Sequence, residues 1–290
     1  MDIDFYNASS AKKLGWDPTW FGCEYFDDDL EEAIKRFQES LNLHPDGMCG
    51  PHTFRRKFSG RESSSRSHLR YITHPRAGGH IVYNGKLHPI GWDRVILWDD
   101  INGVGLKAKK GNYRSMAESP PRDIRMFVTH WDAALHSMST QSILDRRGLS
   151  VHFLIDNDGT IYQTADLQHV CFHAGKINKY SIGVELANAF YKKYQSWYER
   201  NGYGKRPIVP QTIVNNGTVE EHLGFYPEQI SALKALVQAV HRACGIPLQT
   251  PASGRVHPPA MRGDYRGFVH HYQLTTRKID CAGLELEDVL

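Results

Sequence analysis

The stretch Arg125-Met126-Phe127-Val128-Thr129-His130 decides the fold, because an apolar, strand-like run ends directly at a histidine. A second stretch, Val269-His270-His271-Tyr272-Gln273-Leu274-Thr275-Thr276-Arg277-Lys278-Ile279-Asp280, adds another imidazole and a carboxylate. Two imidazoles and one carboxylate suit a catalytic zinc ion, which keeps a fourth position open for water. His130, His270 and Asp280 are therefore candidate zinc ligands. Residue chemistry alone leaves open that they are ordinary surface or hydrogen-bonded side chains.

Strands and helices alternate around the His130 strand. Residues 151–155 and 160–163 predict two strands joined by the Asp158-Gly159 turn, and residues 180–186 predict a buried strand. The clearest helix is predicted over residues 226–244, with a proline in its first turn and a glycine after its end. These elements together indicate a mixed sheet flanked by helices.

Composition and charge exclude several classes of protein. The 290 residues are 40% hydrophobic and 23% charged, which is typical of a globular chain. There is no apolar run of about 18 residues, so no membrane span is expected. The net charge of +3 is too small to indicate a nucleic-acid partner. The acidic residues 1–5 lack the apolar region of a secretory signal.

Five cysteines without a CxxC pair indicate a reduced compartment. Cys23 and Cys49 lie in the same N-terminal unit and could pair after release from the cell. Two buried thiols are the expected state.

The chain divides near residue 60. Residues 61–68 are polar and serine-rich and predict a flexible linker. Before them, residues 29–41 predict a helix with an apolar face, and Asp46-Gly47 and Gly50-Pro51 predict tight turns. We expect a domain over residues 1–60, a linker over 61–68 and a second domain over 69–290. Within the second domain, 69–118 form an N-terminal addition to a core at 119–290.

Four blocks of the core, in order, resemble the zinc-dependent N-acetylmuramoyl-L-alanine amidases, a family that includes phage endolysins, wall-recycling amidases and peptidoglycan recognition proteins. The blocks begin at Phe127, Ser150, Phe172 and His270, and the resemblance covers roughly residues 120–290. It implies an α/β fold, with a small N-terminal three-helix domain followed by a mixed β-sheet amidase domain flanked by helices.

The same resemblance implies roles for individual residues. His130, His270 and Asp280 would bind one zinc ion per chain. Glu185, which interrupts an apolar strand, would be the catalytic acid and base, and Lys278 would stabilise the oxyanion, because residues two apart in an extended segment face the same side. Two further histidines would contact substrate, namely His152 and His173. Structural roles remain the alternative for Glu185, Lys278, His152 and His173.

Two ambiguities remain in the ligand set. His271 adjoins His270, and either imidazole could point at the metal, although the ligand spacing of the resembled family, ten residues before Asp280, implies His270. Cys281 adjoins Asp280, and a thiolate is also a good zinc ligand. The Lys-x-Asp spacing favours Asp280.

The N-terminal unit resembles the three-helix peptidoglycan-binding domain. The matching pattern is Ile34-x-x-Phe37-Gln38, Leu41-x-Leu43 and Asp46-Gly47-x-x-Gly50-Pro51-x-Thr53. Peptidoglycan is therefore the expected partner, and a dimerisation or regulatory module is the alternative.

These resemblances predict a monomeric zinc enzyme that cuts the N-acetylmuramoyl–L-alanine amide bond of peptidoglycan, as a phage endolysin. It would reside in the host cytoplasm before lysis and then act at the cell wall or periplasm. The alternatives are a non-catalytic wall-binding or regulatory protein and a bacterial autolysin with the same chemistry.

Overall fold

The computed structural model describes residues 2–64, 79–100, 103–116 and 120–290. Its α-helices are α1 (Ile3–Leu14), α2 (Asp28–Glu39), α3 (Pro51–Ser63), α4 (Ser137–Arg147), α5 (Gln195–Arg200), α6 (Pro227–Cys244) and α7 (Pro258–Arg262). Its strands are β1 (His80–Tyr83), β2 (Lys86–Pro89), β3 (Val95–Leu97), β4 (Tyr113–Arg114), β5 (Met126–Trp131), β6 (Phe153–Ile155), β7 (Ile161–Gln163), β8 (Val170–Cys171), β9 (Ser181–Leu186), β10 (Ile208–Val209), β11 (Thr212–Val214), β12 (Gly217–Val219), β13 (His222–Leu223) and β14 (Gly267–His270). Short 3₁₀ helices cover Pro18–Phe21, Gly175–Tyr180, Lys192–Tyr194, His271–Gln273 and Leu286–Asp288.

Helices α1, α2 and α3 form the N-terminal module, which confirms the expected three-helix unit. The Asp27 carboxylate caps α2 by accepting a hydrogen bond from the Leu30 amide at 3.2 Å. Leu30 and Ile34 on the predicted apolar face are completely buried. Pro51 is the first residue of α3. The backbone amide at this position has no acceptor within the helix, so the missing N–H of proline does not weaken the helix.

The structure corrects the start of the predicted linker. Helix α3 continues through Ser63, so residues 61–63 are helical and belong to the module. Residues 65–68 of the predicted linker lie outside the described residues.

A six-stranded sheet in the order β14-β5-β9-β6-β7-β3 forms the second domain. The first four strands run parallel, β6 and β7 pair antiparallel, and β3 pairs parallel with β7. The mixed sheet predicted from the sequence is confirmed. Strand β3 adds an edge strand from the residues before the expected core, and β1 and β2 form the expected hairpin at Asn84-Gly85, where both residues have positive φ.

The two faces of the sheet have different neighbours, because side chains alternate along a strand. Phe127 of β5 and Phe268 of β14 pack with α6 in the main core. Val128 and Val269 pack in a second cluster on the opposite face. His130 lies two residues after Val128, so the sheet presents it on the face away from α6.

The module packs directly against the sheet domain. Trp16 and Phe54 of the module share a buried apolar cluster with two residues of the sheet domain. These are Ala134, which follows β5, and Ile143, which lies in α4. The guanidinium of Arg146 donates a hydrogen bond from Nη1 to the Leu14 carbonyl at 3.1 Å. The apolar cluster and this hydrogen bond fix the position of the module against the sheet domain. In the described part of the chain, no helix combines the length and apolar character that crossing a bilayer requires.

Candidate active site

Three side chains converge at the end of β5 with the geometry of a metal site. The Nδ1 atoms of His130 and His271 lie 2.9 Å apart. The Oδ2 atom of Asp280 lies 3.2 Å from His130 Nδ1 and 2.9 Å from His271 Nδ1. Ligand atoms around a tetrahedral zinc ion, with bonds of about 2.0–2.1 Å, are separated by about 3.3 Å. All three observed separations are close to that value, so the residues fit zinc.

His271 occupies the position predicted for His270, and the sheet register explains this correction. Parallel pairing of β14 with β5 sets His270 opposite Thr129. Its side chain therefore points to the α6 face, where Nε2 lies 2.8 Å from the Leu284 carbonyl and Nδ1 lies 2.7 Å from Thr129 Oγ1. Both ring nitrogens of His270 are thus engaged elsewhere. The next residue, His271, faces His130, because a shift of one residue reverses the side-chain direction.

Burial favours neutral imidazole next to an ionised carboxylate in this cluster. Burial and the neighbouring His271 lower the pKa of His130 to about 4. Burial would raise the pKa of Asp280, but the charge of His271 and hydrogen bonds from both histidines hold it well below its usual range. Neutral nitrogens and a carboxylate are the protonation states that bind a divalent cation.

Glu185 lies in β9 directly beside His130, in parallel register. Its side chain lines the same cavity, which has a volume of about 40 Å³. Its Oε2 atom is buried and has no hydrogen-bond partner among the described residues. Burial, followed by the charges of Asp132 and Asp280, raises the pKa of Glu185 to about 8. This carboxyl group can therefore carry a proton at neutral pH.

His173 lies in the cavity wall and supports His130. Its Nδ1 atom is 3.0 Å from His130 Nε2, the nitrogen that faces away from Asp280. The other nitrogen is 3.2 Å from Ser181 Oγ. Gly183 leaves room for this ring, because a Cβ atom there would lie 2.6 Å from His173 Nδ1. A second residue that orients a ligand histidine is common in zinc sites.

Lys278 lines the same cavity as Asp280. Burial lowers the pKa of its ammonium group, and the charges of Arg55 and Arg147 act in the same direction. These two arginines also line the cavity, and sequence analysis did not identify them. Nothing in the Arg55-Arg56-Lys57 run distinguishes an arginine that faces a site from one on a solvated helix face.

His152 does not line the cavity, in contrast to its expected contact with substrate. The ring is completely buried, and its Nδ1 accepts a hydrogen bond from the Gly183 amide at 3.1 Å. Its Nε2 lies 3.0 Å from the His169 carbonyl and 3.1 Å from Arg122 Nη2. With both nitrogens occupied, this side chain connects strands within the fold.

Cys281 packs in the main core with the α6 face of the sheet. Burial and the charges of Asp280 and Glu185 raise the pKa of its thiol well above the usual range. Cys281 is not among the residues that line the cavity, which leaves Asp280 as the candidate ligand beside His130 and His271. All five cysteines are free thiols.

Comparison with known proteins gives two family matches. Residues 120–282, more than half of the chain, match the family described as N-acetylmuramoyl-L-alanine amidase. Residues 12–56 match the family described as "Putative peptidoglycan binding domain".

Individual relatives are distant or matched over short segments. A 59-residue segment is 42% identical to "Putative N-acetylmuramoyl-L-alanine amidase RC0497" of Rickettsia conorii, covering 17% of this chain and 22% of that protein. The endolysin amidase LysCS of Clostridium intestinale is 15% identical with a TM-score of 0.39, covering 69% of this chain and 95% of that one. The amidase AmiD of E. coli, in complex with anhydro-N-acetylmuramic acid-L-Ala-D-gamma-Glu-L-Lys, is 21% identical with a TM-score of 0.32, covering 46% and 49%. On the strength of the family match over most of the sheet domain, this chain belongs to the N-acetylmuramoyl-L-alanine amidase family.

Proposed function

We propose that this protein is a zinc-dependent hydrolase that cuts the amide bond between N-acetylmuramic acid and the L-alanine of the peptidoglycan stem peptide. One observation carries the proposal: His130, His271, Asp280, Glu185 and Lys278 all meet at a single cavity. Membership of the amidase family supports the same reaction. A non-catalytic wall-binding protein would have no need for this combination of side chains.

His130, His271 and Asp280 would hold the zinc ion. Bound there, zinc would supply Lewis-acid catalysis and make water nucleophilic at neutral pH. His173 would keep the His130 ring in its binding orientation through the 3.0 Å contact between their nitrogens.

Glu185 would donate the proton to the leaving amine, and Lys278 would stabilise the negative charge on the carbonyl oxygen. Glu185 has a pKa of about 8, and its Oε2 atom has no partner among the residues that the structure describes, so this side chain can hold the proton that the leaving amine requires. Lys278 would place its ammonium group against the negative charge that develops on the carbonyl oxygen.

The N-terminal module would bind peptidoglycan, as the second family match supports. We infer a monomeric phage endolysin that resides in the host cytoplasm and reaches the wall once the membrane is opened. A bacterial autolysin with the same chemistry is the alternative. Expression in a bacterial cytoplasm should cause lysis only after the membrane is permeabilised; lysis without permeabilisation would favour the exported autolysin.

Mass analysis of digested peptidoglycan tests the reaction directly. The zinc-loaded protein should release free stem peptides that begin with L-alanine, and leave glycan strands with unsubstituted lactyl groups. Chelation should abolish this release, and Glu185→Gln should suppress it while zinc remains bound. Cleavage within the glycan or between peptide residues would reject the proposed bond. Binding to purified walls without any cleavage would favour the non-catalytic alternative.

A further inference from the structure

The module supplies a side chain to the catalytic cavity. Arg55 lies in α3 of the module, yet it lines the same cavity as Glu185 and Lys278. Arg147, the last residue of α4, lines this cavity from the sheet domain. The two domains therefore build the cavity wall together.

Each arginine has one buried guanidinium nitrogen without a protein partner in the described part of the chain. The Nε atoms of Arg55 and Arg147 are both buried, and neither has a hydrogen-bond partner within the described ranges. A buried, unpaired guanidinium nitrogen is costly unless an anion or another acceptor reaches it. Lys278 adds a third cation to this wall. The nearby Asp280 carboxylate offers little compensation, because its Oδ2 atom is engaged by two histidines.

A larger cavity lies at the domain junction and shares part of its lining with the catalytic cavity. It has a volume of about 360 Å³, and the module side of its lining includes Tyr6, Ser10 and Lys13. Arg147 and Leu149 line both this cavity and the catalytic one. The catalytic cavity of about 40 Å³ is too small for a peptide, whereas the junction cavity that shares Arg147 and Leu149 is about 360 Å³.

Specific contacts hold α3 in the position that brings Arg55 to the cavity. Ser59 donates a hydrogen bond from Oγ to the Ala133 carbonyl at 3.1 Å. The Glu62 carboxylate lies 2.6 Å from Ser139 Oγ and 3.0 Å from His136 Nε2. These contacts lie one and two helical turns after Arg55 in α3. Arg55 therefore reaches the cavity only when the module is docked against the sheet domain.

We propose that Arg55 and Arg147 form a carboxylate-binding pair for the substrate, in a groove shared by the module and the amidase domain. The proposal rests on the proposed function, because the ligand is a carboxylate of the peptidoglycan substrate or its product. Guanidinium groups bind carboxylates through charge-assisted hydrogen bonds. A stem peptide with γ-linked D-Glu carries a free α-carboxylate, and cleavage of the amide releases a lactyl carboxylate. Both are carboxylates within a few bonds of the scissile amide.

Steady-state kinetics on two soluble muropeptides tests the pair. One substrate carries γ-linked D-Glu, and the other carries the same residue with its α-carboxylate converted to an amide. Arg55→Gln and Arg147→Gln should each raise KM for the first substrate by about 10-fold or more, with a smaller change in kcat. Arg61→Gln is the matched control, because Arg61 lies on the same helix, where its guanidinium stacks 4.7 Å from the Trp20 ring. Circular dichroism and thermal melts would establish that each variant is folded, and Arg55→Lys should recover part of the affinity.

The two substrates distinguish the source of the carboxylate. A KM increase confined to the D-Glu substrate assigns the pair to the stem peptide. Unchanged KM on both substrates, with weaker inhibition by N-acetylmuramic acid, assigns it to the lactyl carboxylate. An equal KM increase on both substrates, with unchanged product inhibition, would overturn the assignment to a carboxylate. Unchanged KM and product inhibition in both variants would overturn the proposal, as would faster turnover in Arg55→Gln, which would make Arg55 a barrier to substrate. A wild-type protein that cleaves neither muropeptide would instead refute the proposed function.

Discussion

The Nδ1 atoms of His130 and His271 lie 2.9 Å apart. His270 lies on the other face of the sheet, where it is hydrogen-bonded to Thr129 and Leu284. His271→Ala should therefore abolish stoichiometric zinc binding. The loss should exceed the roughly 10- to 100-fold effect typical of removing a supporting residue. Metal content after dialysis, measured by mass spectrometry, checks this prediction.

His270→Gln is the matched control for that experiment. It should keep one zinc per chain but lose about 1–3 kcal/mol of unfolding free energy, because buried hydrogen bonds are disturbed. If His270→Gln loses the metal while His271→Ala keeps it, the ligand assignment made from the sheet register is wrong.

The contact between Gly183 and His173 predicts an effect of a single methyl group. A Cβ atom at residue 183 would lie 2.6–2.8 Å from three atoms of the His173 ring, so Gly183→Ala should displace the ring from His130. Zinc affinity should fall by about 10- to 100-fold. Gly60→Ala is the control, since its Cβ would meet only Tyr194 Oη at 3.8 Å. Equal zinc titrations for the two variants would show that His173 does not support the site.

Glu185→Gln should retain fold and zinc while losing about 10²- to 10⁴-fold in turnover, because an amide cannot exchange the proton that the leaving amine needs. Rates on a soluble muropeptide, together with metal content, measure both properties. Glu199→Gln on an exposed helix position should behave as wild type. Full activity of Glu185→Gln would restrict Glu185 to a structural role.

The raised pKa of Glu185 also predicts a pH dependence of stability in the metal-free protein. Because the folded pKa is about 8 and the ordinary value is 4.5, this contribution is fully present below pH 4.5 and is lost as the pH rises through 8. The slope is at most about 1.4 kcal/mol per pH unit. Urea unfolding across this range should show the loss in wild type and a smaller one in Glu185→Gln. If the unfolding free energies of wild type and Glu185→Gln change in parallel with pH, the predicted contribution of Glu185 is wrong.

The His136–Glu62 contact predicts that docking of the module weakens at high pH. Burial would lower the pKa of His136, but the Glu62 carboxylate outweighs burial and raises it above 6.5. The stabilisation is therefore complete below pH 6.5 and disappears as the pH rises through the raised value, with about 1.5–3 kcal/mol at stake. The protection of the α3 amides, relative to their intrinsic exchange rate at each pH, should fall over that interval in wild type. Glu62→Gln should show lower protection at low pH and little further change in protection as the pH rises.

The sequence by itself determined the elements and most of the chemistry. Apolar runs and turn residues were sufficient for the β5, β6–β7 and β9 strands and for α6, because these signals are local. The sequence also contains, in order, the blocks that carry His130, Glu185, Lys278 and Asp280. In the structure these four residues line one cavity. The order of these motifs was sufficient to predict the amidase family, and the family match over residues 120–282 confirms it.

Only the tertiary structure decided which of two adjacent histidines faces the site. Spacing along the chain favoured His270, but strand pairing reverses the side-chain direction at each residue, and the register with β5 selects His271. The burial of His152 follows likewise from packing that involves Gly183, Arg122 and His169. The placement of Arg55 at the cavity depends on how α3 docks against α4, a contact between distant segments that no local pattern encodes.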